Sequence, residues 1–182
     1  MPQRSLLASP PVVAFAGWIL PGSGYVLLGD VARGLVVGST IILLFLSGLL
    51  IAGIRVIDVP GYDNLGQQQR VWQGRRVDPN HPNYARGEWT LTDRPLSAIV
   101  EKPWFVAQAL NGPIAFLGAS WSLSAAQPAT PGGRVPSVPA SHARVADIGL
   151  LYTAIAGMLN LLTMIDSAGR AGQAPAARGT GT

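Results

Sequence analysis

Asp78 and His81 stand close enough in the sequence to share a metal ion or a proton, and they are the chain's best case for catalysis. Pro79 and Pro82 surround them and no third ligand is apparent, so a turn carrying a solvated histidine is the expected outcome. The other histidine, His142, falls in a separate loop. The chain has no cysteine, which excludes disulfides, thiolate metal sites and thiol nucleophiles. Pro21-Gly22-Ser23-Gly24 is rich in glycine but lacks the Lys-Ser/Thr pair that completes a phosphate-cradling loop. Serines are plentiful without a base to activate them. The expectation is a non-enzymatic protein with no catalytic residues, no metal and no cofactor.

The uncharged amides say more. Gln108 and Asn111 lie three residues apart, on one face of a helix, inside a stretch without charges. Amides in such a setting usually join helices, each worth about 0.6–2 kcal/mol. The sharper alternative is a polar path or a ligand pocket, with Pro113 freeing a carbonyl beside them. Small residues recur at helical spacing as Gly34 and Gly38, and as Gly149, Thr153 and Gly157, with Asn160 continuing the second series. Such faces let another backbone approach closely, either within the chain or on a partner.

Helices must position these groups, and the charge pattern locates them. Apolar residues make up 48% of the 182 and charged residues only 12%. Asp, Glu, Lys and Arg are absent from 5–29, 34–54, 103–133 and 148–165. A helix crossing hydrocarbon needs about 20 apolar residues. The fold class expected is therefore an all-α membrane protein, a single bundle of four transmembrane helices spanning about 11–29, 34–54, 103–123 and 145–165. Pro21 and the glycines after it should kink or break the first span, leaving Tyr25–Leu28 to complete the crossing or to begin a re-entrant turn. A cleaved signal peptide is the rival reading of that segment. Asp30–Arg33 reads as a tight turn, and Pro113 should kink the third span. Trp18, Trp104 and Trp121 are expected as interfacial anchors, the last two about 25 Å apart along one helix. Segment 55–102 reads as a long polar loop, with a short helical turn at 96–100. Segment 124–144 is a Pro/Ala/Ser-rich loop, and 167–182 is a tail of disordered type, where Asp166 and Arg170 form a surface pair.

The formal charge of +4 does not signal nucleic acid, because the 13 basic residues are scattered rather than clustered. They act as topology signals and contacts for lipid. Twelve of the 13 are arginine, the coding bias of a GC-rich bacterium. With four crossings, both termini and loop 55–102 share one side. That side holds ten basic residues, and the other holds Arg33, Arg134 and Arg144. The positive-inside rule then puts the termini and the loop in the cytoplasm of a bacterial inner membrane.

The motif Trp18-Ile-Leu-Pro-Gly-Ser-Gly-Tyr25-Val-Leu-Leu-Gly29, followed by Arg33-Gly34, resembles the hairpin of small bacterial proteins with a Pro-Gly-x-Gly-His/Tyr signature. TM-two domain proteins share a looser version. Trp104-Phe-Val-Ala-Gln108 and Asp147-Ile-Gly149 through Asp166 are similar to one uncharacterised bacterial membrane family. The resemblance implies a shared bundle and no activity; Tyr25 stands where that family commonly has His. The function expected is an accessory or assembly subunit of a larger membrane complex, respiratory or photosynthetic, with lipid and other membrane subunits as partners. The alternative is a small oligomeric transporter or channel, and an enzyme built on Asp78 and His81 comes last.

Overall fold

The computed structural model describes residues 9–57, 59–62, 66–77, 81–90, 95–127, 138, 141 and 144–173. Asp78, His142, most of segment 124–144 and the tail from 174 lie outside these residues. The chain is mostly helical. Two helices dominate, α3 (Val31–Ala52, 22 residues) and α7 (Arg144–Gln173, 30 residues), about 33 and 45 Å long at the usual rise. Among the described residues they are the two helices long and apolar enough to cross a membrane. They lie antiparallel. Gly48 meets Gly149 and Thr153, and a Cβ there would stand 2.7 Å from the Gly149 carbonyl oxygen. Toward the other end, Val37 and Ile41 share a groove with Leu159 and Leu162. Phe45 and Ile41, both almost fully buried, fill the seam with Ala156.

The other two apolar segments are helical hairpins. In the first, α1 (Pro10–Ile19) opens on prolines, which sit well where the first turn has no use for a donor. It runs antiparallel to α7: Gly172 is near Pro10, and Gly17 faces Met164. Pro21 and Gly22 then end the helix, with Gly22 in the left-handed region at φ 85°. The chain returns as α2 (Ser23–Leu27), which packs Gly24 against the Val13 carbonyl and Ser167 and bonds the Tyr25 hydroxyl to Asp166. So α2 climbs back to the end from which α1 came, where α3 begins.

The second hairpin repeats this plan in the opposite sense. It starts beside the end of α3, where Lys102 donates to the carbonyls of Val59 and Tyr62. Helix α5 (Pro103–Ala109) runs alongside α7, with Ala107 at Gly157 and Leu110 at Asn160. The chain turns at Gly112, φ 83°, and Pro113 opens α6 (Pro113–Ala126). Helix α6 folds back on α5: the rings of Phe105 and Phe116 meet edge to face at 6.1 Å. Farther along, Gly118 rests on Ile57, and Ser122 donates to the Ile57 carbonyl at 2.9 Å. Each half of the chain is thus a glycine-turned hairpin followed by one long helix, and the two halves point in opposite directions.

These observations correct several expectations. The first apolar segment turns back, one of its two expected outcomes, and the third turns back where only a kink is expected, because each carries its proline and left-handed glycine near its middle. Length and composition do not record direction after such a break. The polar segment 55–102 is not only loop, so the chain is not all-α. Strands β1 (Arg70–Trp72), β2 (Arg75–Val77) and β3 (Trp89–Thr90) form an antiparallel sheet in the order β2-β1-β3. Gln73 and Gly74, both at positive φ (49° and 71°), make the two-residue turn between β1 and β2. Val71 of the sheet packs on Ala98 of α4 (Pro95–Glu101), the expected short helix. Asp30–Arg33 is not a free turn: α3 begins at Val31, and Arg33 pairs with Asp30 at 3.4 Å. Helix α6 continues to Ala126. Helix α7 reaches Gln173, past the expected start of the tail at 167, because Ser167 and Ala171 are buried. Finally, the antiparallel pairing of α3 and α7 gathers Pro10, Asp30 and Gln173 at one end and the sheet at the other.

Glycine substitutions test this packing. Gly157→Ala drives a methyl into the Ala107 carbonyl and should destabilise by about 1–3 kcal/mol. Gly169 is helical with open space around it, so Gly169→Ala should be neutral or stabilise by up to about 1 kcal/mol. Thermal unfolding of the two purified variants checks the contrast.

Candidate functional site

Both hairpin turns create the same chemical problem. In a helix, the carbonyl of residue i accepts from the N–H four residues on, and proline has no N–H. Pro21 therefore orphans the carbonyl of Gly17, and Pro113 takes away the helical donor of Ala109. The Gly17 carbonyl is answered by a side chain from elsewhere, while Ala109 O accepts from the Gly112 N–H at 3.1 Å and gains a remote side-chain donor as well. Asn160 Nδ2 donates to Gly17 O at 3.1 Å and to Leu110 O at 2.9 Å, so one amide on α7 joins the last turns of α1 and α5. The Trp18 indole Nε1 donates to Ala109 O at 3.1 Å. Gly112 lies flat on the Trp18 carbonyl, where any Cβ would collide. The tips of the two hairpins meet here, and Phe116 closes the contact edge-on to Trp18 at 6.3 Å.

A second pair of amides sits one turn away, toward the sheet end. Gln108 Nε2 donates to Thr153 Oγ1 at 2.8 Å and to Val56 O at 3.3 Å. Asn111 Nδ2 donates to Gln108 O and Thr153 O, both at 3.0 Å. Gln108, Thr153 and Asn160 are completely buried and Asn111 is 1% exposed. Burial at this level makes each bond obligatory, since an unmade one costs about 1–3 kcal/mol. Two oxygens, Gln108 Oε1 and Asn111 Oδ1, have no partner among the described residues. They can only accept, so what suits them is a small donor such as water. The cluster contains no titratable group, and the described residues include no group of three metal-ligating side chains. The chemistry on offer is hydrogen bonding and exclusion of water.

The structure brings Gln108, Asn111, Thr153 and Asn160 together and spends the small residues inside the chain. Gly34 and Gly38 seat the turn of the first hairpin, against Gly22 and Pro21; Gly149 meets Ala52, and Gly157 meets Ala107. The Trp18 N–H is engaged at the hairpin tip. Trp104 and Trp121 are 51% and 67% exposed, but they sit on opposite arms of one hairpin and so toward the same end of the molecule. His81 lies in an exposed turn, where its Nδ1 accepts from the Asn83 N–H. A cluster that the sequence did not reveal lies at the end of α7. Tyr25 donates to Asp166 at 2.8 Å, Asp166 pairs with Arg170 at 2.7 Å, and Arg33 and Arg170 both approach the Tyr25 ring. Only the Asp166–Arg170 pair had a local signal; Tyr25 joins it across 141 positions.

Residues 12–179 match the model of a family described as "Family of unknown function (DUF6677)". The chain belongs to this family. The match covers both hairpins and both long helices apart from the first two residues of α1, so the tip-to-tip arrangement lies within the DUF6677 region. Membership agrees with the resemblance to an uncharacterised family, and no match to TM-two domain proteins accompanies it. No curated protein and no solved structure matches the chain.

The bridge at Asn160 is open to direct test. Asn160→Leu leaves Gly17 O and Leu110 O without this donor and should cost about 1–3 kcal/mol for each. Trp18→Phe keeps a ring at the tip and removes the bond to Ala109 O. Because both changes act on one junction, their costs should be non-additive by at least about 0.5 kcal/mol in a double-mutant cycle read by denaturation.

Proposed function

We propose that this chain is an integral protein of the bacterial inner membrane and works there as a small oligomeric transporter or channel. In this reading α3 and α7 cross the bilayer, while the hairpins α1–α2 and α5–α6 dip in from opposite faces, replacing four full crossings. The membrane part is supported by what the long helices show to their surroundings. In their most apolar windows only 28% and 33% of residues are buried, too few for core helices of a soluble domain. Leu35, Val36, Leu50, Leu162 and Ile165 are each 60% exposed or more. Contiguous apolar surface of this kind suits lipid.

One observation carries the transport part: two broken segments in corresponding positions of oppositely directed halves meet tip to tip at buried amides. Discontinuous helices paired in this way are the usual sequence pointer to a substrate site at the membrane midplane. Backbone broken at that depth is tolerated where protein or a water-filled cavity shields it. The unpartnered oxygens of Gln108 and Asn111 give such a site acceptors for a small polar solute or cation. Oligomerisation widens the little volume that so few helices enclose. The second reading is a non-enzymatic accessory or assembly subunit of a larger membrane complex. It is favoured by the amide donors of Gln108, Asn111 and Asn160, which are all committed to bonds within the chain.

Orientation follows from the hairpins. Segments joined at the sheet end carry nine of the 13 basic residues, so the positive-inside rule places the sheet in the cytoplasm and both termini outside. The absence of cysteine makes this easy to measure. In intact cells, Gln173→Cys should react with an impermeant maleimide, and Arg75→Cys only after permeabilisation. Four full crossings would leave both positions on one side, so equal labelling defeats the hairpin arrangement. For the activity, protein reconstituted in liposomes should pass small ions or solutes, and Gln108→Leu and Asn111→Leu should lower that flux tenfold or more. Absence of flux, with stoichiometric companions captured from mild detergent, would establish the accessory role instead.

A further inference from the structure

A groove of about 370 Å³ runs along the seam of α3 and α7. Its walls are mainly Val37, Ile41, Leu159 and Leu162, and its far end is Tyr25 and Asp166. That end carries four half-exposed charges from two helices. Asp30 and Arg33 are 45% and 43% exposed, and Asp166 and Arg170 are each 49% exposed. The two guanidinium groups approach the same ring, at 5.8 and 6.0 Å from the centre of Tyr25. Each is already paired with its own carboxylate. A guanidinium has five N–H donors, so one carboxylate contact does not exhaust it.

We propose that this groove is a binding site for a phospholipid with a primary-ammonium zwitterionic headgroup, phosphatidylethanolamine in kind. One acyl chain lies along the apolar walls. The phosphate sits between Arg33 and Arg170, and the ammonium reaches Asp30 and Asp166. The charge pattern selects this headgroup. Two cations and two anions form a neutral set, which a net anionic headgroup would leave with an unmatched charge. A choline headgroup is zwitterionic too, but its quaternary ammonium has no N–H to give the carboxylates. Lipid recognition by basic side chains at a helix end is common; here the interleaved carboxylates narrow it.

The inference rests on the membrane reading and not on transport. The full-length protein is purified in mild detergent and offered dioleoyl phosphatidylethanolamine, phosphatidylcholine or phosphatidylglycerol, and bound lipid is counted by native mass spectrometry. Ethanolamine lipid should bind at least fivefold better than either of the others. Arg33→Gln with Arg170→Gln should abolish that preference, and so should Val36→Trp, which fills the groove from an exposed position. Equal or stronger binding of phosphatidylglycerol overturns the proposal, as does a preference that survives both variants. A chain that leaves the membrane under alkaline carbonate extraction would sink the membrane reading itself, a result distinct from an integral protein without headgroup preference.

Discussion

A proline in the middle of an apolar segment removes the helical donor of the carbonyl four residues before it, and this chain does so twice. Gly17 loses its helical donor to Pro21, and Ala109 loses its own to Pro113. The solution is shared: Asn160 reaches both hairpins at once, and Trp18 of the first hairpin serves the second. Everything nearby follows from keeping those donors in range. Helix α7 must run between the hairpins, Gly157 must be small enough to let α5 approach, and Gly112 must lie against the Trp18 backbone. The buried amide of Asn160 is thus tied to the break at Pro21.

The glycines of the long helices belong to the same logic. A hairpin tip ends in carbonyls and turns, which are wider than a helix and have no side chain to interdigitate. Gly34 and Gly38 give the first tip a flat bed on α3, and Gly48 with Gly149 brings the two long helices into backbone contact. Small-residue faces of this kind offer close approach in place of apolar burial. The seam between α3 and α7 is filled by Ile41 and Phe45 where larger groups fit. The long helices clamp the hairpins, and the hairpins leave the outer faces of the long helices uncovered.

Much of this was legible in the sequence, and the limits are physical. The apolar segments, the break at Pro21-Gly22, the interruption at Pro113 and the partnership of Gln108, Asn111 and Asn160 with small residues all have local signals in residue type and spacing. Direction after a break has none. Whether Tyr25 continues onward or turns back depends on its bond to Asp166, 141 residues away, and on Gly24 packing against Val13. The bond of Trp18 to the Ala109 carbonyl has no local signal either, because its partner lies 91 residues away. The small sheet was missed because its strands are two or three residues long, too short for alternation to show, although Gln73-Gly74 is a fair turn signal. The length of α7 past 167 was hidden because its Gly- and Ala-rich end gains order only by lying on α1 and α2.

The position of Asn160 on α7, after both hairpins in the chain, has a consequence for how the chain is made. Synthesis proceeds from the amino end, so both hairpins exist before the residue that joins them has been translated. Until α7 arrives, the Gly17 carbonyl lacks its bridging donor, and the glycine bed of Gly149 and Gly157 is absent. The nascent chain thus carries two unfinished halves that the last helix locks in a single step. Assembly is closed by α7, and a ribosome that stops short of it releases a product with its central junction unmade.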